Sequence, residues 1–355
     1  MSTRAERVWR MRMRTLGVLS CLAGALTCAA QQGATPGTAV PLAVVGKAGS
    51  STKDTLAEVQ ASLRANPPSS GHWNERRGAI LALDGVLSDD AARTDPAVKE
   101  FYRDCMEAAC AEMREPVTTG MRIWSMYNHG YVIRTASATL AFDLVNGYPG
   151  WDYRLPDDVL AAIKVLFISH RHADHCDPDV VARVRTAGGA IVAPAEDEFG
   201  TVRLLPNAAA KVAGLDIVAH PGSHQAIPLR IYRVTTPEGL TILHTGDHQW
   251  SWSLPDDKGV DVLLLNNWVN NGGFVLRPPG QPPAIPAMKL CIKRVRPVIT
   301  IPGHMQEMAH HFNLEDLTSR TPFAYPLAVA SDFPPGAVVV QVFGERFDYI
   351  KGERP

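Results

Sequence analysis

Nine residues, Ser169-His170-Arg171-His172-Ala173-Asp174-His175-Cys176-Asp177, hold three imidazoles and two carboxylates. They follow the apolar run Val165-Leu166-Phe167-Ile168, which reads as a buried strand. A strand that stops abruptly in His and Asp delivers ligands to the edge of a sheet. Imidazole nitrogen and carboxylate oxygen suit zinc and its divalent neighbours. On extended backbone His170 and His172 face the same way and can grip one ion. Asp174 and His175 follow in a turn and can face a second.

The pattern recurs downstream. His220 and His224 follow Leu215-Asp216-Ile217-Val218, Asp247 ends Thr241-Ile242-Leu243-His244-Thr245-Gly246, and His304 ends Val298-Ile299-Thr300-Ile301-Pro302-Gly303. Each is an apolar strand, then a small residue or Pro, then a ligand-type side chain. His220 and His224 are both candidates, because one short stretch, His220-Pro221-Gly222-Ser223-His224, carries them both.

The rest of the chain supplies a scaffold for such a site. With 46% apolar and 20% charged residues, 355 residues can bury a large core. Candidate helices are Asp54–Ala65, Trp73–Leu87 and Asp95–Arg114. From Val117 the texture turns to short apolar runs broken by Gly, Pro and Asp. The candidate strands there are Trp124–Arg134, Thr139–Leu144, Lys164–Ile168, Ala190–Val192, Ala210–Val218, Leu229–Val234, Thr241–Leu243, Val260–Leu265, Val298–Ile301, Ala337–Phe343 and Phe347–Ile350. Asp177-Pro178 starts a helix, with a cap residue before Pro at the first turn, and Ala284–Arg294 is another. Strands first in meander order, then alternating with helices, predict an α/β chain of two sheets with helices outside.

The N-terminus reads separately. Arg4, Arg7, Arg10, Arg12 and Arg14 precede a short apolar stretch that ends in Ala29-Ala30. Residues 1–30 therefore read as a secretory signal peptide, 31–52 as a flexible tether, 53–116 as a helical extension and 117–355 as the main domain. The expected location is exported, periplasmic or secreted. Lipid attachment at imperfect lipobox-like sites, Cys21 or Cys28, is the alternative and the one route to a membrane. Cleavage after Ala30 removes five Arg and one Glu and takes the formal charge from −1 to −5. No basic stripe marks a nucleic-acid partner, so a small-molecule substrate is expected, with oligomeric state left open. Cys105, Cys110 and Cys291 read as buried thiols.

The motifs His170-x-His172-x-Asp174-His175, His224, Gly246-Asp247 and Gly303-His304 resemble those of the metallo-β-lactamase superfamily of metal-dependent hydrolases. The resemblance runs from about Val117 to the end and is nearest the branch that includes ascorbate-6-phosphate lactonase. It implies an αββα sandwich with two divalent ions, zinc or else manganese or iron. One ion would take His170, His172 and His224, the other Asp174, His175 and His304, with Asp247 bridging. His224 fits the family's third motif better than His220 does. Asp143, in Ala141-Phe142-Asp143-Leu144, would support the ligand loop. The implied reaction is attack by a metal-bridging hydroxide on an ester, lactone, amide or phosphoester, with Asp174 as the catalytic carboxylate that orients it. A non-catalytic metal-binding sensor, or a di-iron redox enzyme, is the alternative on the same scaffold. His248 and Trp250, directly after the bridging Asp, are the substrate-binding candidates. His129 and His244 read as core or supporting histidines, Trp252 and Trp268 as core or rim, and His310 and His311 as surface. Cys176 and Arg171 are expected to point away from the ions.

Overall fold

The computed structural model describes residues 50–68, 73–148, 150–224, 227–267, 284–305, 312–314, 317–319 and 323–353. The expected signal segment with Cys21 and Cys28, most of the tether, and Trp268, His310 and His311 lie outside the described residues.

Three long helices come first: α1 (Thr52–Ala65), α2 (Trp73–Leu87) and α3 (Pro96–Glu112). Ser51 caps α1 by accepting from Asp54 N, and Asp95 caps α3 with Pro96 in its first turn. Asp95 was expected inside that helix; as the cap it lies one residue outside. Two sheets follow. One contains β1 (Met121–Ser125), β2 (Tyr131–Thr135), β3 (Thr139–Phe142), β4 (Val165–Phe167), β5 (Ala190–Pro194), β6 (Val202–Leu204) and β15 (Arg346–Tyr349). Its order is β15-β1-β2-β3-β4-β5-β6. The other contains β7 (Ala208–Val212), β8 (Leu215–Pro221), β9 (Arg230–Thr235), β10 (Thr241–His244), β11 (Val262–Asn266) and β12 (Ile299–Gly303), in the order β12-β11-β10-β9-β8-β7. Short helices α4 (Asp157–Ala162), α5 (Pro178–Thr186) and α7 (Ala324–Ala330), the longer α6 (Ala284–Val295), two single 3-10 turns (Asp90–Arg93 and Ser251–Ser253) and a separate ribbon of β13 (Phe312–Leu314) with β14 (Leu317–Ser319) complete the described elements.

Strand alternation sorts the apolar side chains into three layers. Val165 and Phe167 of β4 face inward, against Tyr232, Val234, Ile242 and Leu264 of the opposite sheet. Leu166 and Ile168 face outward and pack with Leu83 of α2, Phe101 and Met106 of α3 and Val180 of α5. On the far side Leu243, Leu263 and Leu265 pack with Met288, Cys291 and Ile292 of α6. Helix, sheet, sheet, helix is the αββα sandwich that the resemblance implied. Strands β3, β4, β10, β11 and β12 are buried on both faces, which is why they read as continuous apolar runs, whereas β8 alternates buried residues with exposed or half-buried ones and β7 alternates half-buried with exposed. Arg76 of α2, 3% exposed, pairs through two 2.7 Å bonds with Glu345 and donates to Val340 O, tying the helical layer to the chain before β15.

Three expected strands differ. The run Trp124–Arg134 is two strands around a turn at 126–130, where Asn128 has φ 58° and Met126 N donates to Gly130 O. Asn tolerates the left-handed conformation. A side chain at Gly130 would press on the carbonyls of Tyr127 and Asp143. The run Ala210–Val218 is a hairpin, reversed at Ala213-Gly214 with φ 47° and 85°, the signature of a two-residue turn. Ala337–Phe343 forms only a bridge from Val338 to Thr300. Two of its other backbone groups are taken by side chains, Val340 O by Arg76 and Val342 N by Glu345. The four described cysteines, Cys105, Cys110, Cys176 and Cys291, are all free.

Candidate metal centre

Strands β3, β4, β8, β10 and β12 all deliver their C-terminal ends to one rim of the sandwich. Ligands gather where parallel strands end in this way. The two sheets are fastened there by Arg230 N donating to Ser169 O (3.0 Å) and by Tyr232 Oη donating to Ile168 O (3.0 Å).

The rim brings together all seven residues of the proposed ligand set. His170, His172, His224 and Asp247 form one group and Asp174, His175, His304 and Asp247 the other, with the donor atoms in each within 4.8 Å of one another. In the first, His172 Nδ1 lies 3.0 Å from His170 Nε2 and 3.1 Å from His224 Nε2. Asp247 Oδ2 is 3.9 Å from His170 Nε2 and 3.7 Å from His224 Nε2. In the second, His175 Nε2 is 3.2 Å from Asp174 Oδ2 and 3.3 Å from Asp247 Oδ1. His304 Nε2 is 3.3 Å from Asp174 Oδ2 and 3.4 Å from Asp247 Oδ2. Asp247 belongs to both. His220 does not join them; its Nε2 lies 2.8 Å from Asp257 Oδ2.

Asp143, with φ 44° directly after β3, sits beneath both groups and is fully buried. Its Oδ1 accepts from Ser169 N (2.7 Å), and its Oδ2 accepts from Ser169 Oγ (2.6 Å) and His175 Nδ1 (2.7 Å). Ser169 Oγ in turn is 3.0 Å from His170 Nδ1. One carboxylate therefore sets the tautomer of a histidine in each group, keeping each Nε2 lone pair on the ion side. Gly246 has φ 49°, and a Cβ there would meet Ser169 Cβ at 2.5 Å and Oγ at 2.6 Å. The Gly before the shared Asp is thus a matter of space as well as backbone. A Cβ at Gly303 would collide with His129 Nδ1 and Tyr131 Oη. His304 itself stands at φ 63°, so strained backbone clusters at this rim.

The electrostatics suit cations. Burial pushes His170 well below the usual imidazole value and His224 down to about 4, leaving neutral rings whose lone pairs can bind. Burial raises the Asp247 carboxyl, but His175 and His304 beside it outweigh this and hold it well below the carboxylate range. Burial opposes charge on His175, yet Asp247, Asp174 and Asp143 overcome it and push that imidazole well up. None of the three carboxylates pairs with a Lys or Arg among the described residues. Asp247 Oδ1 and His175 Nε2 are buried and make no hydrogen bond. Buried polar atoms that face one another without partners, in an all nitrogen and oxygen set, fit divalent ions.

Sequence reasoning missed Asn128. Its Nδ2 donates to Asp174 Oδ2 (2.7 Å), and its carbonyl accepts from His304 N (3.0 Å), holding two members of the second group in place. The signal was Asn-x-Gly inside an apolar run, which marks a turn. His248 is a correction. It is 1% exposed, its Nδ1 accepts from Ser223 N (3.0 Å) and its Nε2 meets Trp250 O (2.8 Å). The buried turn consumes both ring nitrogens, leaving none for a substrate. Trp250 is half-buried and donates Nε1 to Ser223 Oγ (3.0 Å). His129 and His244 are fully buried, their rings 4.5 Å apart beneath the centre. Cys176 packs with the helical layer and Arg171 is exposed.

No family model matches the chain, and no curated protein matches it. Solved structures similar to it include an isothiocyanate hydrolase from Delia radicum gut bacteria, at 16% identity and TM-score 0.49. That likeness covers 64% of this chain and 99% of the other. A metallo-β-lactamase fold protein from Bacillus subtilis is similar at 14% identity and TM-score 0.45, covering 65% and 100%. A diiron β-hydroxylase from Streptomyces venezuelae is similar at 15% identity and TM-score 0.45, covering 66% of this chain and 55% of its own.

Proposed function

We propose that this chain is an exported metal-dependent hydrolase acting on a small molecule with an ester, lactone, amide or phosphoester bond. The observation that carries the reading is Asp247, a buried carboxylate shared by two groups of three further ligands. Zinc suits these donors best, with manganese or iron the other candidates. His170, His172 and His224 would hold one ion, Asp174, His175 and His304 the other, and Asp247 both. Ions held there supply an activated water near neutral pH and polarise the bond under attack.

The chain's own groups do the rest. Asp143 holds His175 by its Nδ1 directly and His170 by its Nδ1 through Ser169 Oγ, which turns each Nε2 toward the ions. Asn128 fixes Asp174 by its Oδ2. The Asp174 side chain is 22% exposed against 9% for Asp247, so it is the carboxylate open to substrate. That exposure supports a role for Asp174 in orienting the attacking water and passing a proton to the leaving group. The export reading is supported by the Arg-rich start and the short apolar stretch before Ala30.

Metal analysis of protein purified without added metal tests the centre. About two divalent ions per chain are expected, falling in His170→Ala and Asp247→Ala. Less than one ion, or a content that neither variant changes, would overturn it. Loaded protein assayed against lactones, phosphodiesters, thioesters and β-lactams tests the chemistry. Hydrolysis that survives Asp247→Ala counts against the shared ligand, and a visible-absorbing iron centre without hydrolysis favours the redox alternative.

A further inference from the structure

Ser223, the residue before His224, is locked by three consecutive residues that follow Asp247. Its N–H donates to His248 Nδ1 (3.0 Å), its carbonyl accepts from Gln249 N (3.0 Å), and its hydroxyl oxygen accepts from Trp250 Nε1 (3.0 Å). The strip leaving Asp247 is thereby zipped to the strip that ends in His224, and both residues belong to the same ion group. The indole of Trp250 is held against Ser223, the neighbour of His224, with its single donor already used.

What remains of Trp250 for a ligand is its aromatic surface, extended by a neighbour. Trp250 and Trp252 stack with ring centroids 4.8 Å apart and planes inclined by 28°. Trp252 is 41% exposed, although a side chain of this size and polarity is usually well covered. The stack is also braced from behind: Ser253 Oγ lies 3.2 Å from His248 Nε2, and Ser253 N donates to Trp250 O (3.1 Å). A rigid, partly exposed pair of rings anchored to a ligand loop pays little entropy to receive a flat group.

We propose that the Trp250–Trp252 stack is a specificity platform that selects substrates carrying a flat aromatic group next to the bond that is cleaved. The inference rests on the hydrolase reading for the bond but on the tryptophans alone for the selection. Aromatic stacking together with the apolar area it covers gives at least about a five-fold preference for an aryl over a methyl substituent.

The test uses the full zinc-loaded chain and two non-hydrolysable probes, 1-naphthylphosphonate and methylphosphonate, titrated calorimetrically. Wild type is expected to favour the naphthyl probe. That preference should fall at least about five-fold in Trp252→Ala and recover in Trp252→Phe. Equal preference in wild type and Trp252→Ala, or a wild type that favours methylphosphonate, overturns the platform. His170→Ala is the separate arm for the metal centre. If methylphosphonate fails to bind, or binds equally to His170→Ala, the hydrolase reading fails. Loss of naphthyl binding in Trp252→Ala still supports the platform in that case.

Discussion

Replacing Asp143 by Asn keeps the shape of the side chain and removes its symmetry. Asp143 accepts three hydrogen bonds away from solvent, from Ser169 N on one oxygen and from Ser169 Oγ and His175 Nδ1 on the other. An asparagine has one acceptor oxygen. Turned one way its NH₂ meets the Ser169 N–H; turned the other it meets the hydroxyl and the imidazole N–H. At least one buried donor therefore loses its partner, and in the second orientation two do. A hydrogen bond to a charged group contributes about 1.5–3 kcal/mol, so the metal-free protein should lose roughly 2–5 kcal/mol in urea unfolding. The ions feel it as well, because His170 and His175 lose the partner that fixes their tautomers. A supporting residue of this kind is worth about 10–100-fold in metal affinity, or roughly 1.4–2.7 kcal/mol. Competition for zinc against a chromophoric chelator measures this directly. Ser169→Ala breaks only the branch to His170, so it should fall between wild type and Asp143→Asn. An Asp143→Asn protein that retained both ions at wild-type affinity would refute the claim that one carboxylate orients both groups.

Gly246→Ala should be costly although it adds one methyl. Left-handed backbone costs a non-glycine residue about 1–2 kcal/mol, and the crowding against Ser169 adds roughly 1–3. Urea unfolding should show the sum and metal content should fall with it; a midpoint equal to wild type would count against the packing argument. The third prediction concerns pH away from the ions. The His220 contact at 2.8 Å and the Arg233 charge hold the Asp257 carboxyl below its usual range, against the burial that raises it. A depressed carboxyl adds stability above the unfolded aspartate value, about 3.9, and loses it as pH falls through the lower folded value. The stability difference between wild type and Asp257→Asn, followed by urea unfolding at stepped pH, should shrink below pH about 4. A difference that persisted undiminished in strong acid would contradict the clasp.

Local pattern carried most of the legible information. Val165–Ile168 reads as a strand because its residues are apolar on both faces, and Asp177-Pro178 reads as a helix start because capping is a matter of adjacent atoms. Where pattern fails, turn chemistry is the reason: Asn128-x-Gly130 and Ala213-Gly214 both reverse the chain inside runs whose apolar pattern reads as a single strand. Ala337–Phe343 fails for another reason. Its composition is that of a strand, but side chains take backbone groups that a neighbouring strand would use: nearby Glu345 takes Val342 N, and Arg76, far away in sequence, takes Val340 O, an approach no local rule foresees.

The sequence by itself determined which donors exist, in what order, and that each stands where a strand stops. Those are properties of neighbouring residues. Only the tertiary structure decided which donors meet. It made Asp247 common to two groups, turned His220 to Asp257 while His224 joined the centre, spent both nitrogens of His248 on a buried turn and brought Asn128 against Asp174. Each choice depends on two sheets closing over one core so that the ends of β3, β4, β8, β10 and β12 share a rim. That closure is set by apolar burial summed over the whole chain, and no single motif contains it.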